Sequence, residues 1–392
     1  MALTIPDRIR IIDADSHITE PADLWKSRLG DAAQDPDAPQ VIWDERRQKS
    51  RWRIGGHRSV GVTDFAFTGW SEFPPSYPPT LEDADPASWN PEERLRRMDE
   101  YGIHAQVLYP NLLGFGSIFF LDIKDPELRN RCVQAYNDYV LDFASSDPGR
   151  LIPLMWLPFW DVGLSVAEIE RNVARGHRGI VFPSNFAPVG LPALPAEEWR
   201  PIWKAAQHHQ MSVNFHVGFQ TSSQEGAQVL GAGVDRAEYA KQSALYMLGN
   251  ARTVADLTLH GICDRFPDLN FVSVESGFGW MPYFAELLDW QWLNSGARAA
   301  HPEIRLLPSE MIRRQVYGTF WFEKESLRRV VEIFPDNAMF STDFPHPTSL
   351  TPGPVSSSEN PSVMVDQNLG GLTEEVLVKI LHDNAARIYH LT

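Results

Sequence analysis

Eight short apolar runs recur along this chain, and helical patterning fills much of the sequence between them. They span residues 9–14, 102–110, 150–158, 178–184, 211–217, 269–276, 316–323 and 338–346. Most are continuously apolar, not alternating, which is the pattern of strands in a parallel sheet covered on both faces. The intervening segments carry helix signals: "NPEERLRRMDEY" opens with Asn90 as N-cap and Pro91 in the first turn, and "DPELRNRCVQAYNDYVLDFASS" repeats the device with Asp125 and Pro126. Strand and helix repeated in this way predict an α/β fold closed as a (β/α)8 barrel in preference to an open doubly wound sheet.

Three stretches fall outside the rhythm. Residues 30–90 are rich in Pro, Trp, Gly and acidic groups and read as a lid, rim or subunit contact inserted after the first run, with a small hairpin near "WRIGGHRSVGV". A helical insertion, residues 225–266, separates the fifth and sixth runs. "TSLTPGPVSSSENPSVMVDQNLGG", after the eighth run, reads as a loop by composition. There is no internal repeat or low-complexity linker, so residues 1–392 are expected to form a single domain with insertions.

A net charge of −16 repels phosphate backbones and anionic lipid, which argues against a nucleic acid or membrane partner and for a small-molecule substrate. Cys132 and Cys263 lie in helical segments and read as buried free thiols. No stretch approaches the ~20 apolar residues that span a bilayer, and no signal-like leader opens the chain, so a soluble, cytoplasmic protein is expected.

The chemistry gathers at the ends of the runs. Asp15 and His17 are two apart on the first and share a side of an extended strand. His216 stands at the end of the fifth run, Glu275 at the end of the sixth, and Asp343 with His346 at the end of the eighth. A closed barrel brings such ends together on the face where active sites are built. Two imidazoles with two or three carboxylates suit Zn, Mn or Fe. A lone Asp or His at a strand end is more often a cap, so the joint pattern carries the inference. Asp13 is assigned to structure. Glu20 reads as a supporting acceptor or a loop residue, the pair His208 and His209 as structural imidazoles at a helix C-terminus, and His260 as a helix residue that could reach the site.

"DADSHITEP", "NFHVG", "CDRFPDLNFVSVESGFGWMPY", "STDFPHP" and "ILHDNAARIYHL" together resemble the amidohydrolase superfamily, in the branch of aminocarboxymuconate semialdehyde decarboxylase and the resorcylate-type decarboxylases. The resemblance runs from Ile11 to Leu391 and implies a distorted TIM barrel and a homodimer. It places the metal ligands on Asp15, His17, His216 and Asp343. The first ligand is Asp where the superfamily usually has His. Glu275 stands where the decarboxylases carry His, and it is read as a ligand to a second metal or as a base. The fourth run lacks the Lys or Glu that bridges two metals in many relatives, so one or two divalent ions per chain are expected.

Three activities follow as expectations. The first is hydrolysis of an amide, ester or thioester by metal-activated water, with Asp343 and Glu275 as acid/base groups and His346 and His260 as stabilisers. The alternative is metal-dependent, non-oxidative decarboxylation of an aromatic or enoic acid. The third is a metal-stabilised binding protein without turnover. With 13 Trp and 21 Phe, and aromatic clusters in "LLGFGSIFFLD", "PFWD" and "WMPYFAELLDWQW", a mouth lined for a bulky apolar ligand is expected as well.

Overall fold

The computed structural model describes residues 4–56, 58–219 and 235–391. The first strand, β1 (Ile11–Ile18), is buried along its whole length. The excursion that follows folds an antiparallel sheet from β2 (Gln40–Asp44), β3 (Lys49–Ile54) and β4 (Arg58–Gly61), so the expected hairpin is the β3–β4 pair with a third strand added. The chain then returns to β5 (Ile103–Pro110), β6 (Leu151–Pro153), β7 (Met155–Trp156), β8 (Gly179–Val181), β9 (Ser212–His216), β10 (Phe271–Val274), β11 (Val316–Phe320) and β12 (Ala338–Phe340). All neighbouring pairs among these and β1 are parallel.

The order β1-β5-β6 is continued by β7-β8-β9-β10-β11-β12. The third apolar run supplies both β6 and β7, which break at Leu154 after a proline that has no N–H to donate. The Asn137 side chain takes over there, accepting from the Trp156 N–H and donating to the Trp156 carbonyl. Closure between first and last strands comes from a bridge between Ser16 and Phe344. The His17 N–H donates to the Phe344 carbonyl (2.6 Å), and the Asp343 N–H to the Asp15 carbonyl (3.0 Å). The result is a distorted (β/α)8 barrel, as the alternation of runs and helices predicts.

Helices wrap the strands: α1 (Pro91–Tyr101), α2 (Pro126–Ala144), α3 (Val162–Val173), α4 (Arg200–His208), α5 (Arg236–Tyr246), α6 (Asn250–Leu259), α7 (Met281–Asn294), α8 (Pro308–Gln315), α9 (Glu325–Ile333) and α10 (Pro361–Leu369). The Asn90 side chain caps α1 through the Glu93 N–H, and Gly102 ends it in the left-handed conformation (φ 70°) that glycine adopts without strain. The segment after the eighth run, expected to be a loop, contains α10; Asn360 accepts from the Ser362 N–H and Pro361 opens the helix. The helical insertion is α5, α6 and a short turn, Ile262–Arg265; its expected residues 225–234 lie outside the described residues. Cys132 and Cys263 are buried free thiols. No helix among the described residues is long and apolar enough to cross a membrane.

Candidate metal centre at the barrel mouth

Asp15 and His17 project from β1, and His216 is the last residue of β9. Glu275 follows β10 directly and Asp343 lies three residues past the end of β12, and both hold a left-handed backbone (φ 51° and 58°). For residues with a Cβ this conformation costs about 1–3 kcal/mol, and it recurs where a chain aims a side chain at a site. Ligating atoms of Asp15, His17, His216 and Asp343 lie within 4.8 Å of one another, all four residues buried; Glu275, Asp343 and His346 form a second such group sharing Asp343.

Hydrogen bonding fixes the imidazoles. His17 Nδ1 lies 3.2 Å from the Pro110 carbonyl and His216 Nδ1 2.6 Å from the Val217 carbonyl. A carbonyl only accepts, so Nδ1 carries the proton in both rings and Nε2 is left a bare lone pair. The two Nε2 atoms stand 2.9 Å apart. His346 repeats the arrangement through its other nitrogen. Its Nε2 faces Asn111 Oδ1 (2.8 Å), because the Asn111 amide donates to Thr19 Oγ1, and its Nδ1 lies 2.7 Å from Asp343 Oδ1.

No donor reaches the carboxyl groups from their surroundings. Both oxygens of Asp15, both of Asp343 and Oε2 of Glu275 are buried without a donor. His17 Nε2 is 3.4 Å from Asp15 and 3.7 Å from Asp343, and His216 Nε2 is 3.7 Å from Asp15 and 3.5 Å from Glu275. Burial pushes the Asp15 carboxyl up to about 6, and burial with the neighbouring negative charges holds Glu275 and Asp343 well above the carboxylate range. Burial drives His17 and His216 well below their usual range and His346 down to about 3. A buried cluster made only of acceptors fits a divalent cation, with the second ring nitrogens donated outward as metal-binding histidines require.

A register shift between Asp13 and Ser16 separates the structural acid from this set. Plain alternation would put Asp13, Asp15 and His17 on one side. The extra residue turns Asp13 towards Gln106. Asp13 then accepts from Gln106 Nε2, from the Thr342 N–H and hydroxyl, and from the Asp15 N–H. Glu20 accepts from the Leu112 and Leu113 N–H groups, a structural role. His209 pairs with Glu170 at the end of α4. His260 does not join the centre: it ends α6 with its side chain 54% exposed, 3.4 Å from Asp256, because the insertion leaves that helix end on the surface.

Other contributors lie outside the strand ends. Phe115 stacks on Phe65 (4.3 Å), and Phe219 stacks on His216 (4.2 Å). Phe65, Tyr77, Phe115, Tyr246 and Glu275 wall an inner chamber of about 70 Å³, room for roughly five waters. It adjoins an outer cavity of about 810 Å³, and both are lined by Tyr239, Ser243, Met247, His346 and Thr348. Of the three aromatic clusters expected at the mouth, only "LLGFGSIFFLD" reaches it, through Phe115. Phe159 packs against Trp156, and α7 turns Tyr283 and Trp290 to the surface. The chamber walls come largely from the excursion after β1 and from α5, whose Tyr239, Ser243 and Tyr246 face inward at helical spacing.

Comparison with known proteins adds three likenesses. Gamma-resorcylate decarboxylase of Polaromonas sp. is 24% identical over 272 residues, 65% of this chain and 76% of that protein. An amidohydrolase from Mycobacterium avium subsp. paratuberculosis superposes with a TM-score of 0.73 at 23% identity, over 99% of this chain and 98% of that one. A variant of 5-carboxyvanillate decarboxylase from Novosphingobium aromaticivorans, holding manganese and 3-methoxy-4-hydroxy-5-nitrobenzoic acid, superposes with a TM-score of 0.64 at 16% identity, over 98% of each chain. These relatives overturn the expectation of acyl-bond hydrolysis, because the specific activities they carry are decarboxylations. From residue 12 to residue 391 the chain matches the amidohydrolase family profile, and it belongs to that family.

Proposed function

We propose that the protein is a metal-dependent, non-oxidative decarboxylase of an aromatic or enoic acid. The observation that carries this reading is the all-acceptor cluster opening on a chamber walled by aromatic rings. Asp15, His17, His216 and Asp343 would hold one divalent cation, manganese being the ion in the carboxyvanillate relative. Bound there, the ion supplies positive charge that anchors an anionic acid and draws electron density from it.

The chain's own residues supply the rest. Breaking the bond to CO2 leaves an electron pair on carbon, and that carbon must take up a proton. Asp343 is the acid in this reading: its carboxyl lies at the meeting point of the two ligand groups and gives the proton to carbon, ending as carboxylate. His346, anchored through Asn111, keeps that carboxyl aimed and relays its reprotonation. Glu275, across from His216, orients substrate from the inner chamber. Phe65, Phe115 and Phe219 keep bulk water from the reacting carbon. For the expected homodimer, the outer face of α7, with Tyr283, Trp290 and Leu293 exposed, offers the aromatic composition of an interface.

The test is CO2 release from a panel of hydroxybenzoates and enoic acids by protein reconstituted with Mn2+. Release that disappears on chelation and returns with Mn2+ supports the reading. No release from any member by protein shown to hold the metal overturns it.

A further inference from the structure

The inner chamber is too small for an aromatic acid with large substituents, yet the cavity beyond it is more than ten times larger. Its walls are mostly apolar: Phe67, Trp70, Phe73, Trp321, Phe322 and Leu350 contribute, three of them from the excursion after β1. One helix joins the two spaces. Tyr239 and Ser243 of α5 line both, with Met247 just beyond the helix, and the Ser276 hydroxyl beside Glu275 ties the Met247 carbonyl. Arg236, on the same helix, lines the outer cavity alone. It lies seven residues before Ser243, about 10 Å along the helix axis.

Arg236 is the cation among the described residues lining the outer cavity. Its guanidinium donates to the Pro74 carbonyl and lies 5.7 Å from the Phe73 ring centre. No carboxylate of the described residues lies within ion-pair distance of it, whereas Lys241, one turn further along α5, is paired with Glu238. A guanidinium carries five N–H donors, and a carbonyl consumes one. In a chain of net charge −16, an arginine with no carboxylate partner among the described residues, beside an apolar cavity that leads to the candidate centre, is placed to receive an anion.

We infer that the substrate is a two-headed acid larger than a single-ring benzoate: one carboxylate at the metal centre, an apolar body in the outer cavity, and a second anionic group on Arg236. The inference rests on the decarboxylase reading for what happens to the first carboxylate, and on the cavity alone for what lies beyond it. The apolar body contributes affinity by leaving water. Arg236 sorts diacids from monoacids.

The experiment is calorimetric binding to Mn2+-loaded protein of three probes: benzoate, biphenyl-4-carboxylate and biphenyl-4,4′-dicarboxylate. The second ring should tighten binding about tenfold or more over benzoate, and the second carboxylate by about fivefold again. Arg236→Gln should abolish the diacid gain and leave the biphenyl-to-benzoate ratio unchanged, while Trp70→Ala should lower that ratio. Equal affinity for benzoate and biphenyl-4-carboxylate overturns the inference, as does a diacid gain that survives in Arg236→Gln. If the binding order holds but no acid in the panel releases CO2, the decarboxylase reading falls and the two-headed ligand stands.

Discussion

Asp13 and Asp15 are both fully buried on β1, yet their surroundings are opposite. Asp13 receives hydrogens from Gln106, Thr342 and the Asp15 backbone, so its charge is answered inside the protein. Asp15 receives none and stands among other acceptors. The first network extends to Arg94, also fully buried, which donates to Gln106, to the Ala87 carbonyl and to the His17 carbonyl, with Phe344 under its guanidinium at 4.6 Å. One side of the strand is thus a closed set of partners that holds the backbone of the candidate ligands. The other is an open set that needs something from outside. Burial alone does not distinguish a structural acid from a ligand; the supply of donors does.

If that contrast is right, damage on the two sides differs in kind. Asp343→Asn, on the open side, should lower decarboxylation by about 10²–10⁴-fold. The stability of the metal-free protein should stay level or rise, since a buried like charge has gone. Steady-state rates with parallel metal analysis check this, and turnover near wild type with metal retained removes Asp343 as the acid. Arg94→Met, on the closed side, should cost about 3–5 kcal/mol of stability even without metal, because buried acceptors lose a charged donor; denaturant unfolding of metal-free protein measures it.

The metal itself sharpens the comparison. Mn2+ at a hundredfold over its Kd should add about 2.7 kcal/mol of stability, visible as a melting rise of a few degrees. Asp15 ionises in the metal-free fold at about 6, above the unfolded value of about 4. The folded state therefore binds more protons between these values, and the metal-free fold loses stability as pH rises through that window. Above it the Asp15 carboxylate is free for the cation. The Mn2+ increment should be larger at pH 7.5 than at pH 5, and thermal melts with and without Mn2+ test the sign. Smallest of all, His260→Ala should change stability by no more than about 0.5 kcal/mol and leave turnover unaltered, as its exposed position requires.

The barrel strands were legible because most lie in continuous apolar runs, and the polar residues closing those runs pointed to one face. The register shift after Asp13 was not, since a single inserted residue leaves no compositional trace. The helix α10 hid in a stretch rich in Ser, Pro and Gly, although Asn360-Pro361 repeats the cap at Asn90-Pro91. His260 was a false candidate because an imidazole near a strand reads alike whether it faces the barrel or the solvent. The outer cavity was illegible for a deeper reason: its walls meet only when the excursion after β1 packs against α5 and the segment following β12. Hydrolysis and decarboxylation could not be separated at all, since both draw on the same ligand types.

The seam that closes the barrel links Asp15 to Asp343 and His17 to Phe344. Two of the four clustered residues therefore stand on the first strand, and another arrives only after the last strand. A polypeptide cut before residue 343 has an open barrel and three of the four clustered residues, whatever its other helices have achieved. A cation held by all four residues would thus report that the first and last strands have met.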